Sequence, residues 1–263
     1  MRDSPCEDAP TVPHYFASDV HLRHDRPDRD RRFRAWLAQL TPDDSLVIVG
    51  DLCDFWMGSR RAHEDLMHSE SLQALAEFTK TGGSLAIMAG NHDEWLRPFY
   101  EWALDATIIP DPHEMVVHGI RLHIVHGHLL GARRAWKAWM ESRAFFDAFA
   151  YVPTPLAKTL DQILAWRNER GLDADEERHL RVYHTYAEKL RETADIVIFG
   201  HVHRPVDVVL GNLRLIVLGG WQRGSSFLKI DEAGATYHAE RARDHDPPAS
   251  HRAKHLHGTA GQP

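Results

Sequence analysis

Five short apolar runs punctuate the chain, and each ends in a loop of small or polar residues. The runs are Tyr15-Phe16-Ala17, Leu46-Val47-Ile48-Val49, Leu85-Ala86-Ile87-Met88, Leu122-His123-Ile124-Val125 and Ile196-Val197-Ile198. Runs of this length, rich in Val and Ile, suit strands buried on both faces, because a strand with one wet face alternates polar and apolar residues instead. Helical periodicity fills the gaps between the first three. Phe33, Trp36, Leu37 and Leu40 share one helical face, and Leu72, Leu75, Ala76 and Phe78 share another. This β-α-β-α-β order predicts an α/β fold with parallel strands and ligands beyond their carboxyl ends. The later segments "MVVHGIRLHIVHG" and "VDVVLGNLRLIVLGG" read as hairpins around Gly turns, so a second sheet of more antiparallel character is expected.

Between His126 and His201 the pattern changes, and residues 132–194 read almost wholly as helix. Trp136, Trp139, Met140, Phe146 and Phe149 make an aromatic stripe, and Leu156, Leu160, Ile163 and Leu164 recur at helical spacing. Asp173 to Glu176 resembles a capping box ahead of Leu180, Tyr183, Ala187 and Leu190. The expected organisation is therefore a core of residues 14–128 and 195–240 with a helical cap inserted at 129–194. Residues 1–13 and 241–263 read as disordered tails. The second tail carries His245, His251, His255 and His257, where metal binding would be adventitious.

Composition narrows the function. A chain of 263 residues with 43% hydrophobic content can bury one large domain. Its net charge of −7 argues against a general nucleic-acid binder, whose affinity would rest on a basic surface. Cys6 and Cys53 cannot build a disulfide framework, so a reducing compartment fits. The start, "MRDSPCEDAPTVPH", lacks the apolar core of a signal peptide, and no run of 18 apolar residues exists. A cytoplasmic protein is expected.

The loops after the five runs carry the chemistry. They read "SDVH", "VGDLCDFW", "AGNHDEW", "VHGH" and "FGHVHRP". Asp19 and His21, and again His201 and His203, lie two apart, which in extended backbone points both side chains the same way. Glycines at 50, 90, 127 and 200 permit sharp turns and close backbone approach. A single strand-end Asp or His is usually a cap or an ordinary polar residue. Five strand ends agreeing is another matter. Asp19, His21, Asp51, Asn91, His126, His201 and His203 supply enough donors for two divalent cations, with Asp51 as the candidate bridge. Mixed Asp, Asn and His donors without thiolate suit a hydrolytic site holding Mn, with Fe or Zn as alternatives. Cys53, between better oxygen donors, reads as packed and inert.

Taken together, "SDVH…GDLCD…GNHD…HGH…GHVH" resembles the motif series of the calcineurin-like metallophosphoesterases over about residues 14–240. The resemblance implies a four-layer α/β/β/α sandwich with a dinuclear site at the strand ends. It implies Asp19, His21, Asp51 and His203 around one ion, and Asp51, Asn91, His126 and His201 around the other. His92 would face the scissile phosphate and Asp93 would orient it, while water attacks phosphorus without a Ser or Cys nucleophile. Within the superfamily the chain is most similar to the UDP-2,3-diacylglucosamine diphosphatases of lipid A synthesis, through "SDVHL", "GDLCDFW" with Trp56, "GNHDEWL", "GHVHRP" and "LGGWQRGSSFLKI". It departs from the better-studied branch of that group, which has Arg at the place of His92 and Asp at that of His128.

That resemblance implies a nucleotide-linked lipid or another phosphodiester as substrate. The cap would then select it, with Trp136 and its neighbours reading either as packed core or as an acyl-chain groove. Arg133, Arg134, Lys137 and Arg143 cluster on the first cap helix, where they read either as a solvated face or as contacts for substrate phosphates. The second role would extend to anionic headgroups, giving peripheral contact with the cytoplasmic face of the inner membrane. Arg204 reads as a phosphate contact or a surface ion pair, and Trp221 as packing under the site or filling the second sheet. The competing readings are a phosphoesterase of nucleotides or protein phosphate, and a scaffold that has lost its metals, against which all seven donors stand.

Overall fold

The computed structural model of the protein describes residues 12–23, 26–54, 66–131, 172–222 and 224–241, with isolated positions between 139 and 159. Alternation along the buried strands decides how its layers stack. Every residue of β2 (Ser45–Val49) is buried, with Leu46 and Ile48 entering one apolar cluster and Val47 and Val49 another. In β7 (Ile196–Phe199), Ile196 and Ile198 join the cluster that holds Val47, while Val197 and Phe199 enter a third. Strands with two apolar faces must be covered twice, which is why the runs carry no polar alternation.

The first sheet contains β1 (His14–Ala17), β3 (Ser84–Met88), β4 (Thr107–Ile109), β10 (Gly224–Asp231) and β11 (Gly234–Arg241) beside β2, in the order β11-β10-β1-β2-β3-β4. From β1 to β4 the pairing is parallel, and the β10–β11 hairpin adds antiparallel strands beside β1. The second sheet, β5-β6-β7-β9-β8, is built from β5 (His113–Val117), β6 (Ile120–Val125), β7, β8 (Val206–Leu210) and β9 (Leu213–Val217). Its two hairpins are the expected ones, but β6, β7 and β9 pair in parallel at its centre. The sheet is therefore mixed, because each hairpin contributes one strand that aligns with β7.

Among the described residues, three helices cover the first sheet. α1 (Pro27–Leu37) opens on a proline, whose fixed φ suits a first turn, and buries Phe33, Trp36 and Leu37. α2 (Glu70–Lys80) starts where the Ser69 hydroxyl accepts from the Leu72 amide, and α3 (Arg97–Leu104) follows the "GNHD" loop. α4 (Leu172–Glu188) covers the second sheet through Tyr183 and Ala187. Three apolar clusters thus separate four layers, α/β/β/α. Two details differ from the sequence reading. Asp173 and Glu176 sit inside α4, already formed by Leu172, rather than at its cap. Leu180, Tyr183, Tyr186 and Ala187 of α4, counted with the insertion, pack on the core as part of its fourth layer. The first tail, most of the cap and residues beyond 241 lie outside the described residues.

Phe199 is fully buried and stacks on Tyr183 at 4.2 Å, joining the second sheet to α4. Phe199→Ala is expected to lower stability by about 3–5 kcal/mol, read as a shift of the urea unfolding midpoint.

Candidate metal centre

The strand ends of both sheets meet at one edge of the sandwich, and their loops are laced together by backbone hydrogen bonds. Asp19 N donates to Gly50 O (3.1 Å), His21 N to Asp51 O (3.0 Å) and Trp221 N to Asp19 O (3.2 Å). Asp19, His21, Asp51 and His201 adopt φ of 51°, 49°, 53° and 62°. That left-handed region is uncommon outside glycine, though Asp and His tolerate it best, and such strain persists where the surroundings over-determine it. The conformation also corrects the extended-backbone argument: Asp19 and His21 converge because both residues turn left-handed, not because a strand alternates.

All seven expected donors come together. Asp19, His21 and His203 form one group of converging ligand atoms, and Asp51, His126 and His201 form another. Asp51 Oδ2 stands between them, 3.8 Å from His21 Nε2 and 3.5 Å from His126 Nε2. Asn91 Oδ1 lies 3.3 Å from His126 Nε2, and His21 and His203 bring their Nε2 atoms to 3.1 Å. Both histidines place Nε2 3.6 Å from Asp19 Oδ1, a buried carboxylate oxygen that accepts no hydrogen bond among the described residues. An orphaned acceptor facing two imidazoles is a costly arrangement unless a cation completes it. His126 Nδ1 donates to Val49 O (2.9 Å), leaving Nε2 as the ligand atom. The residues present fit a pair of divalent cations.

The glycines make this approach possible. A Cβ on Gly90 would run into the Asp51 carboxylate, and one on Gly50, at φ 84°, into the His126 ring.

His92 lies beside the cluster, its ring edge-on to His21 at 4.7 Å, and its amide donates to Asp51 Oδ1 (2.9 Å). The carboxylate on its ring is that of Asp54, 2.8 Å from Nδ1. Asp93, expected to orient His92, turns instead to the backbone. Its oxygens accept from Gly90 N (2.8 Å), Leu52 N (2.8 Å), Cys53 N (3.3 Å) and the Tyr100 hydroxyl (2.8 Å). The carboxylate positioned to orient the His92 ring is thus that of Asp54, which also pairs with Arg23 (3.1 Å). Arg23, Tyr100 and Arg29, which donates to His21 O (2.7 Å), were not singled out in the sequence. None carries a spacing signal that points to the site.

Arg204 pairs with Glu177 of α4 (2.6 Å), the surface ion pair of the two readings. Trp221 is fully buried under the site against Phe33 and Trp36, in the cluster below α1 rather than in the second sheet. Arg133, Arg134, Trp136 and Arg143 lie outside the described residues. Cys53 is fully buried, and burial pushes its thiol up, so it is packed as expected.

The electrostatics show what the site does without cations. Burial alone would raise Asp51, but the charges on His92 and His126 hold it well below the usual carboxylate range. Burial pulls His21 and His126 down. For His21 the carboxylates of Asp19, Asp54 and Asp51 outweigh this, and for His126 those of Asp51 and Asp19 do, so both are pushed up to about 10. His203 falls below its ordinary value, through burial and the charge on His21.

A model of the calcineurin-like phosphoesterase family matches residues 13–205, and the chain belongs to that family. It is a metal-dependent hydrolase of phosphate esters. Its relatives include the UDP-2,3-diacylglucosamine hydrolase of Hahella chejuensis, 26% identical over 85% of this chain and 95% of that one. The enzyme of the same name from Pseudomonas syringae pv. tomato is 29% identical, covering 82% and 91%. Among solved structures, Vacuolar Protein Sorting 29 from Cryptosporidium parvum aligns at 12% identity with a TM-score of 0.47, covering 89% and 92%.

Two outcomes test the site. Gly90→Ala should weaken metal affinity at least about 10–100-fold, the range for changes behind metal ligands, as measured by metal titration of the chelated protein. In that chelated protein the raised pKa values of His21 and His126 contribute stability that is complete below about pH 6.5 and lost as pH rises through about 10. Its melting temperature should therefore fall across that window. A flat profile would show that these imidazoles are not charged.

Proposed function

We propose that the chain hydrolyses the diphosphate of UDP-2,3-diacylglucosamine, giving UMP and 2,3-diacylglucosamine 1-phosphate. The observation that carries this reading is the two donor groups with the Asp51 carboxylate between them, in a chain aligned over 85% of its length with a hydrolase bearing that substrate's name. Asp19, His21, Asp51 and His203 would hold one cation, and Asp51, Asn91, His126 and His201 the other. Oxygen and imidazole donors suit manganese, with iron or zinc as alternatives. Such a pair lowers the pKa of a shared water and withdraws charge from phosphoryl oxygens.

The chain's own residues do the rest. His92 is tied by its amide to Asp51 and by its ring Nδ1 to Asp54, which leaves Nε2 as the remaining ring nitrogen. As an imidazolium paired with the Asp54 carboxylate, it would stabilise charge or deliver a proton from Nε2 at the leaving oxygen. Asp93 acts on the backbone, clamping the loops after β2 and β3. In this reading residues 129–194 cap the site, with Trp136 against acyl chains and Arg133, Arg134 and Arg143 against phosphates or anionic headgroups. Arg204 joins them on leaving Glu177. The protein works in the cytoplasm, with peripheral contact at the inner face of the inner membrane. No helix among the described residues is long and apolar enough to cross it.

The test is a substrate panel with Mn²⁺ and metal analysis of the purified protein. Turnover of UDP-2,3-diacylglucosamine should stand far above that of nucleotides, cyclic nucleotides and phosphoproteins, and preference for any of these overturns the reading. Asp51→Asn and His201→Ala should each cut turnover by more than roughly 100-fold, beyond the effect of changes behind the ligands. Near-normal turnover by either removes the metal assignment.

A further inference from the structure

Besides His92, two histidines outside the seven donors stand against the metal cluster. His179 of α4 meets the His201 ring edge-on, with centroids 5.1 Å apart. His128 lies 5.2 Å from the His126 ring and 6.3 Å from that of His201. They come from opposite ends of the insertion: His128 just before it, and His179 on the helix that leads out of it.

The placement of His179 is built rather than incidental. One turn further along α4, the buried Tyr183 stacks on Phe199 at 4.2 Å and 5°, and its hydroxyl donates to Gly200 O (3.2 Å). A Cβ on Gly127 would strike that same hydroxyl, so the helix is keyed into both the "HGH" and the "GHVH" loops. The Glu177–Arg204 pair ties the preceding turn to the residue after His203. A side chain four residues from such an anchor, on the same helical face, is held over the strand ends. The expected cargo also needs donors beyond the seven. A diphosphate ester carries a second phosphoryl group, one bridging oxygen from the attacked phosphorus, and the seven donors are spent on cations.

We propose that His179, with His128, binds the second phosphoryl group of a diphosphate ester and so selects diphosphates over simple phosphodiesters. An imidazole offers one N–H donor in either tautomer, so the contact does not depend on protonation. The inference rests on the diphosphate reading above and adds the residues that recognise the feature.

The experiment compares wild type, His179→Ala, His179→Gln and His128→Ala on UDP-2,3-diacylglucosamine and on bis-p-nitrophenyl phosphate, with metal content measured for each. Expected are at least a 10-fold loss of kcat/KM on the diphosphate for both alanine variants and less than a 3-fold loss on the phosphodiester. Metal content should stay within that of wild type, and His179→Gln, which keeps an N–H donor, should recover part of the loss. Equal losses on both substrates, loss of metal, or no loss at all overturns the inference, since His179 would then only brace His201 or fill space. Wild type that cleaves the phosphodiester but not the diphosphate sinks the functional reading and this inference with it.

Discussion

Everything at the strand ends depends on burying the Asp51 carboxylate between two groups of imidazoles. A buried anion is costly unless charge and hydrogen bonds surround it. Asp51 has both, accepting from the His92 amide while its other oxygen faces His21 and His126. The same requirement explains the left-handed backbone at four donors, which brings short side chains inward from loops that would otherwise splay. Without cations, charged imidazoles balance the aspartates. Metal binding replaces those protons, so affinity must rise with pH and binding must release protons.

The two sheets serve that one point. β1, β2 and β3 bring Asp19, His21, Asp51, Asn91 and His92 from one layer, while β6 and β7 bring His126, His201 and His203 from the other. Bonds between the loops then set the spacing: the His201 amide donates to Asp19 Oδ2 (2.8 Å), linking a β7 loop to a β1 loop across the apolar layer between the sheets. A core substitution that shifts one sheet against the other therefore reaches the site directly. Packing and chemistry share the same residues here.

Periodicity made the buried strands, α1 and α2 legible, because apolar spacing is a local property. The seven donors were legible for a related reason, since each sits at the end of such a run. Other features depend on partners far along the chain. The parallel centre of the second sheet needs β6, β7 and β9 to meet across long connections, which no window of sequence shows. Asp54 and His92 are 38 residues apart, whereas Asp93 is adjacent to His92, and adjacency suggested the wrong partner. Neighbours on a tight turn point apart, so the next residue is a poor orienter. β4, three residues long, was too short to register as a run.

The surroundings of the cluster also bear on the proposed reaction. Covalent catalysis through a hydroxyl or thiol would need that group beside the reacting atom with a base to activate it. Cys53 is fully buried with its thiol pushed up, and Ser18 donates to Val49 O (2.7 Å) from a fully buried position. The Tyr100 and Tyr183 hydroxyls are committed to Asp93 and Gly200 O. That these four hydroxyl and thiol groups are closed off among the described residues agrees with the proposed attack of water on phosphorus. In the proposed reading the histidines outside the seven donors would then hold charge and present N–H groups to the oxygens that gain it.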